Sequence, residues 1–315
     1  MTIRQSEVAL EIQNKHNINH ILARRLAQMD ADEAEKFIAQ KPKPFVKWVG
    51  GKRQLLEQFK RLNLYPPDGF DSTKHKYFEP FVGGGAVFFD LMPEKATLSD
   101  LNKELVITYN VIKENVEDLI KSLKEHKTDK EYYQKVRSQN PEEMDNISIA
   151  SRFIFLNRTC FNGLYRVNKQ GKFNVPYGKY VNPLICDVDN LRKVSKSLRD
   201  IEIKQRDYKE VLGETKEGDF IYFDPPYYPL NRTSSFTSYT TEGFFEKEQK
   251  ELRDTFIELH KKGCFVMLSN SDTEFINNLY KDINGVKINK IYAGRMVNAD
   301  AKKRGKITEV LITNY

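Results

Sequence analysis

Residues 224–227 read Asp-Pro-Pro-Tyr and follow the apolar run Phe220-Ile-Tyr-Phe223. The run predicts a buried strand. Each proline lacks an N–H and holds φ near about −65°, so the chain leaves the sheet in a stiff, extended form. Asp224, the carbonyls of Pro225 and Pro226 and the ring of Tyr227 are thereby fixed at the carboxyl end of a strand. Open α/β sheets bind their ligands at that end. Acceptors beside a stacking ring suit a planar amino group, such as the exocyclic amine of adenine.

A second constellation is Phe78-Glu79-Pro-Phe81-Val-Gly83-Gly84-Gly85. A short strand runs into three glycines and then a helix, and glycines allow close backbone approach to a ligand. Asp100 ends the next predicted strand, 17 residues after Gly83. An acid there typically holds the two hydroxyls of a ribose. The spacing is not Gly-x-Gly-x-x-Gly, which disfavours a dinucleotide and favours a cofactor with an adenosine but no pyrophosphate. A third, Phe45-Val-Lys47-Trp48-Val-Gly50-Gly51-Lys52, contains the only tryptophan. A backbone bend beside a cation suits a carboxylate or phosphate. It is not a P-loop, because the four-residue gap and the following Ser/Thr are missing.

Residues 155–180 are rich in Arg, Asn, Lys and aromatics. The turn at residues 168–171 joins two alternating stretches and predicts a hairpin. Pro176 keeps its second strand out of a sheet centre. Such a ribbon has the size and chemistry to enter a DNA major groove. Ala301-Lys-Lys-Arg-Gly-Lys306, between the last two predicted strands, is either a phosphate-contacting loop or a solvated charged turn.

Strands are predicted at residues 77–80, 96–100, 201–205, 220–224, 264–269, 286–292 and 307–313. Helical patterns cover 103–124, 245–262 and 272–281. This alternation predicts an α/β doubly wound, mostly parallel sheet with an antiparallel pair at one edge. Residues 125–200 break the alternation and read as a partly helical insertion carrying the hairpin. Residues 1–40 read as helical, with His16 and His20 on one solvated face. Lys41-Pro-Lys-Pro44 is a stiff connector.

The chain has 315 residues, 51 Lys and Arg against 44 Asp and Glu, and a net charge of +7. That balance favours a polyanionic partner. No apolar run approaches the roughly 18 residues of a membrane helix, and the amino terminus lacks the apolar core of a signal peptide. Three widely spaced cysteines form neither a metal signature nor a disulfide framework, which places the chain by default in a reducing cytoplasm.

In this order the pieces resemble the Dam-type DNA adenine-N6 methyltransferases (group alpha, D12 class). The likeness rests on residues 47–52, 79–85, 99–102, 157–158 with 161–166, 173–178, 224–227 and 268–272. It spans roughly residues 44–315 and excludes the first 40. It implies a Rossmann-like methyltransferase sheet with an inserted target-recognition region. The expected division is a helical extension and linker (1–43), a catalytic domain (44–110 and 195–315) and a target-recognition insertion (111–194).

The resemblance also implies S-adenosyl-L-methionine as methyl donor and double-stranded DNA as substrate. Trp48, Lys52, Glu79, Phe81, Gly83, Gly84, Gly85, Asp100 and Asp224 would line the cofactor site, and no metal is expected. The hairpin is close to that of GATC-reading members. Lys47 and Arg166 would contact guanines, Leu164 and Pro176 would make apolar base contacts, and Phe161 and Asn162 would help hold the duplex open. Arg158, Asn168, Asn174, Lys179 and Tyr180 complete the expected DNA surface. Phe161 stands where many relatives have Tyr, and Lys179 where Arg is frequent. Phe236 and Tyr239 are weaker candidates for closing the pocket. A cognate restriction endonuclease acting on the same site is a conceivable companion. Two rival readings stay open: a cytosine-N4 methyltransferase, which usually carries Ser in place of Asp224, and a catalytically silent sequence-specific DNA-binding protein.

Overall fold

The computed structural model describes residues 3–230, 244–294 and 306–315. Phe236, Tyr239 and the cations Lys302, Lys303 and Arg304 lie outside them. Seven strands form one sheet: β1 (Tyr77–Glu79), β2 (Ala96–Asp100), β3 (Glu202–Gln205), β4 (Phe220–Phe223), β5 (Phe265–Ser271), β6 (Lys287–Gly294) and β7 (Lys306–Thr313). Their order is β3-β2-β1-β4-β5-β7-β6. The first five are parallel, and β7 runs antiparallel to both β5 and β6. This is a Rossmann-like α/β sheet of the expected kind, with its antiparallel pair at one edge.

Strand alternation explains the layers. Tyr77, Leu98, Phe220, Tyr222, Met267 and Leu311 enter one core, and Phe78, Ile221, Phe223, Leu268, Val310 and Ile312 enter the other. Successive side chains of a strand point to opposite faces, so β4, covered on both, reads as an unbroken apolar run. Each fully buried aromatic contributes about 1.5–3 kcal/mol. β1, β2 and β4 end in Glu79, Asp100 and Asp224 at or next to their carboxyl termini. The reversal of strand order between β1 and β4 opens a crevice there.

The pattern predicted at 103–124 is two helices, Lys103–Glu114 and Val116–Lys124, broken at Asn115. Helices Val116–Lys124, Asn146–Thr159 and Val188–Leu198 supply Leu119, Ile154 and Leu198 to the core of the sheet. A smaller core of Tyr133, Val136, Phe155, Phe173 and Val175 lies under the hairpin.

The first 40 residues form three helices, Ile3–His16, His20–Leu26 and Ala31–Ala39. His16 ends the first and His20 starts the second, so they do not share a helix face as expected. Asn17 with φ of 51° breaks the chain between them. Asn19 caps the second helix and donates its amide to the Asp90 carbonyl at 2.7 Å, and Lys41 pairs with the Asp90 carboxylate at 3.0 Å. The extension is docked by these polar bonds, by Ile21 in the main core and by a small apolar cluster against which Met92 packs.

Candidate active site and nucleic-acid interface

At the end of β4, Asp224 Oδ1 lies 2.8 Å from Lys52 Nζ, with the lysine side chain 2% and the aspartate 23% exposed. Lys52 also donates to the Gly50 carbonyl at 2.7 Å, and its ammonium sits 4.7 Å from the centre of the Tyr227 ring. Burial holds the Asp224 carboxyl above its ordinary value, the Lys52 ammonium offsets part of that rise, and the charge of Glu309 adds to it. Lys52, expected along the cofactor, thus faces the acceptor Asp224.

The turn after Asp224 is clamped from β5 and from helix Glu246–Lys261. Gln249 Nε2 donates to the Pro226 carbonyl at 3.0 Å, and Asn270 Nδ2 donates to Gln249 Oε1 at 2.9 Å. Asn270 Oδ1 accepts the Tyr228 N–H at 3.1 Å, and the Ser271 hydroxyl donates to the Tyr228 carbonyl at 2.7 Å. Among the described residues none donates to the Pro225 carbonyl or to the second Asp224 oxygen. Two acceptors, one of them on buried Pro225, are therefore left without a donor among the described residues, beside an aromatic ring. The Tyr227 hydroxyl donates to Glu309 at 2.8 Å, and burial holds it un-ionised.

On the other side of the crevice the glycine loop packs under Trp48. Gly83 has φ of +45°, and a Cβ there would lie 2.6 Å from the indole. Trp48 stacks with Tyr165, centroids 5.9 Å apart, and the Tyr165 hydroxyl donates to Glu104, the partner of buried Arg152 at 2.7 Å. A Cβ on Gly85, at φ +67°, would strike the Tyr109 hydroxyl, which donates to the Gly83 carbonyl. Asp100 accepts the Gly83 N–H at 3.1 Å and the Asn102 N–H at 3.0 Å, and burial raises its carboxyl. Phe81 packs among Tyr208, Phe223 and Phe244.

Glu79 is buried, and one of its oxygens, Oε2, accepts both the Tyr77 hydroxyl at 2.9 Å and the Phe88 N–H at 3.1 Å. Burial first, then the charge of Asp224, push its carboxyl up to about 8 against those bonds. A folded-state value above the unfolded one means that the native chain keeps a proton which the unfolded chain loses. Stability from this group is complete at pH below about 4.5 and is lost as pH rises through about 8. Relative to Glu79→Gln, the wild-type protein is expected to lose about 1–2 kcal/mol between pH 6.5 and 8. Urea unfolding of both proteins at three pH values checks this, and parallel curves would contradict it.

The expected DNA surface is organised by one buried amide. Asn157 Oδ1 accepts the Lys47 N–H at 2.8 Å, and its Nδ2 donates to the Lys47 carbonyl at 2.7 Å and the Gly163 carbonyl at 3.0 Å. Lys47 is thereby locked to the turn of Phe161 and Asn162. Phe161 is 50% exposed. Asn162 is also exposed and left-handed, with φ of 56°. Lys47 Nζ sits 4.4 Å from the Tyr180 ring centre. The hairpin forms through the isolated bridges Val167–Phe173 and Cys160–Tyr177 rather than a continuous ladder. Arg166 is exposed, and its Nε donates to Asn174 Oδ1 at 2.7 Å. Pro176 and Lys179 are exposed, and Leu164 is half-buried.

Two expected DNA contacts are engaged elsewhere. Arg158 is half-buried and donates to the Phe45 carbonyl at 2.6 Å, which ties the segment before Lys47 to helix Asn146–Thr159. The Asn168 side chain accepts the N–H groups of Gln170 at 2.9 Å and Lys172 at 3.0 Å, closing the hairpin turn. Sequence reasoning missed Asn157, Gln249, Asn270 and Glu309. Asn157 and Asn270 stand inside quoted motifs, so a signal existed for them. Gln249 and Glu309 carried none, because each meets its partner across a long stretch of chain.

Residues 48–294 match the family described as D12 class N6 adenine-specific DNA methyltransferases. The chain is 46% identical over 281 residues to the type II methyltransferase M1.LlaDCHI of Lactococcus lactis subsp. cremoris, covering 87% of this chain and 95% of that protein. It is 46% identical over 292 residues to the type II methyltransferase M.MjaIII of Methanocaldococcus jannaschii, covering 87% and 99%. It is 29% identical over 276 residues to the DNA adenine methylase of Escherichia coli K12, covering 86% and 95%.

Proposed function

The chain belongs to the D12 class of N6 adenine-specific DNA methyltransferases, and from that premise we propose that Asp224, Pro225 and Tyr227 receive a flipped-out adenine within GATC in double-stranded DNA. Methylation of adenine N6 in DNA is the activity of the family. The observation that carries the site assignment is the pair of acceptors without a described donor, Asp224 and the Pro225 carbonyl, beside the anchored Tyr227 ring.

The target nitrogen lies inside a base pair, so the base must leave the stack, at a cost of a few kcal/mol. Tyr227 then stacks on the ring. Asp224 and the Pro225 carbonyl accept the two N6 hydrogens and turn the nitrogen lone pair toward the donor. Asp224 also stabilises the positive charge that develops on nitrogen. The same carboxylate takes up the proton that N6 sheds afterwards. Lys52 neutralises part of that carboxylate, which leaves the second oxygen for the amine.

The residues across the crevice fit S-adenosyl-L-methionine. Gly83, with no Cβ, lets the Trp48 indole close on the loop, Asp100 suits two ribose hydroxyls, and buried Glu79, losing its proton, suits an ammonium. Phe81, Gly84 and Gly85 belong to the same wall, while Lys52 faces Asp224 on the opposite side. When bound, this cofactor supplies an electrophilic methyl group on a sulfonium.

In the GATC reading Lys47 and Arg166 contact guanines, and Leu164 and Pro176 contact bases through apolar surface. Phe161 and Asn162 enter the opened duplex, with Lys179 and Tyr180 beside the backbone. The division into catalytic parts (44–110, 195–315) and a recognition insertion (111–194) follows these roles. Two type II methyltransferases among the relatives support a place beside a restriction endonuclease of the same specificity. Three free cysteines fit a reducing cytoplasm, and no described helix is long and apolar enough to cross a membrane.

The test is to incubate the protein with methyl-free genomic DNA and S-adenosyl-L-methionine and to map modified bases by long-read sequencing. N6-methyladenine confined to GATC is expected. Confinement to another motif would overturn the base contacts, and N4-methylcytosine would overturn the amine assignment.

A further inference from the structure

The Tyr227 hydroxyl donates to Glu309 Oε2 at 2.8 Å. Glu309 stands on β7, opposite Ser271 of β5 and Ile291 of β6. Because β7 runs antiparallel to β5, a residue near the start of β7 reaches the carboxyl end of the sheet, where the Asp224 turn leaves it. Leu311, on the same face of β7, is fully buried in the core, so the strand that carries Glu309 is rigid at this point.

The backbone around Tyr227 is already clamped, by Gln249 at Pro226 and by Asn270 and Ser271 at Tyr228. Those bonds fix where the side chain begins and leave its ring torsions free, and the second torsion of a tyrosine is broad. A hydroxyl bonded to a carboxylate is about twice as strong as a neutral pair and directional, so it sets the far end of the ring. Lys52 adds a cation 4.7 Å from the ring centre. The order Asp224, Lys52, Tyr227, Glu309 is then acid, ammonium, ring, acid.

We propose that Glu309 is a positioning residue for methyl transfer, which acts through the Tyr227 hydroxyl to hold the ring at the angle where the flipped adenine stacks with its amine at Asp224. The inference rests on the reading that Tyr227 stacks on the target base. An ångström of misplacement at a reacting centre costs up to about a hundredfold in rate.

The experiment compares Glu309→Ala, Glu309→Gln, Tyr227→Phe and the double variant Tyr227→Phe/Glu309→Ala in steady-state transfer to duplex DNA. Glu309→Ala is expected to lower kcat roughly 10- to 100-fold with KM for DNA within about threefold. Tyr227→Phe lowers it comparably, and the double variant is no worse than the worse single one. Glu309→Gln keeps an acceptor and recovers most of the rate. A second readout needs no cofactor: with 2-aminopurine at the target position, emission from the Glu309→Ala complex exceeds that of wild type, because the base is no longer stacked. Wild-type kcat in Glu309→Ala, multiplying losses in the double variant, or Glu309→Gln as impaired as Glu309→Ala would each overturn the proposal. If Glu309→Ala does not fold, the Glu309→Gln and Tyr227→Phe pair decides by the same rates. Full activity of Tyr227→Ala would instead remove the stacking reading itself.

Discussion

Asp224→Ala is expected to lose methyl transfer by at least about a thousandfold, roughly 4 kcal/mol of transition-state stabilisation, while cofactor affinity stays within about threefold. Two effects add. The amine loses the acceptor that orients its lone pair, and the developing charge loses its nearest anion. The structure adds a stability term, because Lys52 pairs with Asp224 at 2.8 Å and is itself buried. Removing the partner leaves a buried ammonium with, among the described residues, the Gly50 carbonyl and the Tyr227 ring, a cost of up to about 3 kcal/mol. Asp224→Asn separates the two terms: its amide oxygen still accepts from Lys52, so most stability returns while transfer stays low. Single-turnover transfer, calorimetry of cofactor binding and urea unfolding read transfer, affinity and stability in turn. Full transfer in Asp224→Ala would remove the acceptor role, and loss of cofactor affinity in both variants would move Asp224 to the cofactor wall.

Arg166→Ala is expected to relax base choice at one position of the recognition site by about 1–3 kcal/mol, a 5- to 150-fold fall in discrimination. The guanidinium is exposed, and its Nε is held by Asn174 Oδ1 at 2.7 Å. In the proposed reading that bond orients the guanidinium so that its two terminal nitrogens meet the O6 and N7 of a guanine. Arg166→Lys should not restore the preference, because an ammonium cannot donate in that fork. Asn174→Ala should weaken choice at the same position by less. Transfer rates on duplexes changed at one base at a time give the profile. A profile unchanged in Arg166→Ala would take the hairpin out of base reading.

The strands were legible because each has a local cause. The run Phe220-Ile-Tyr-Phe223 is apolar on both faces because β4 is covered on both, and Pro225 and Pro226 stop it within the chain itself. The buried run before Asp100 gives β2 its observed bounds, Ala96–Asp100. The glycine loop and the acids at strand ends carried the site in the same way, because backbone freedom and strand ends are written in neighbouring residues. Asn115 hid the break between two helices, since the apolar pattern runs through it. The hairpin was legible in its turn residues, but whether its strands form a full ladder depends on the helices beneath.

The sequence by itself determined the alternating architecture, the turn that presents Asp224 and Tyr227, and the glycines that let Trp48 and Tyr109 close on their loop. Each follows from residue type and short-range spacing. Only the tertiary structure decided which side chains meet across the fold. It paired Lys52 with Asp224 and turned Arg158 inward to Phe45. It made Asn157 the lock between Lys47 and Gly163. It also brought Glu309 to Tyr227 across 82 residues. That meeting depends on β7 lying antiparallel between β5 and β6, and strand order is set by how buried faces pack together, which no local pattern of residues encodes.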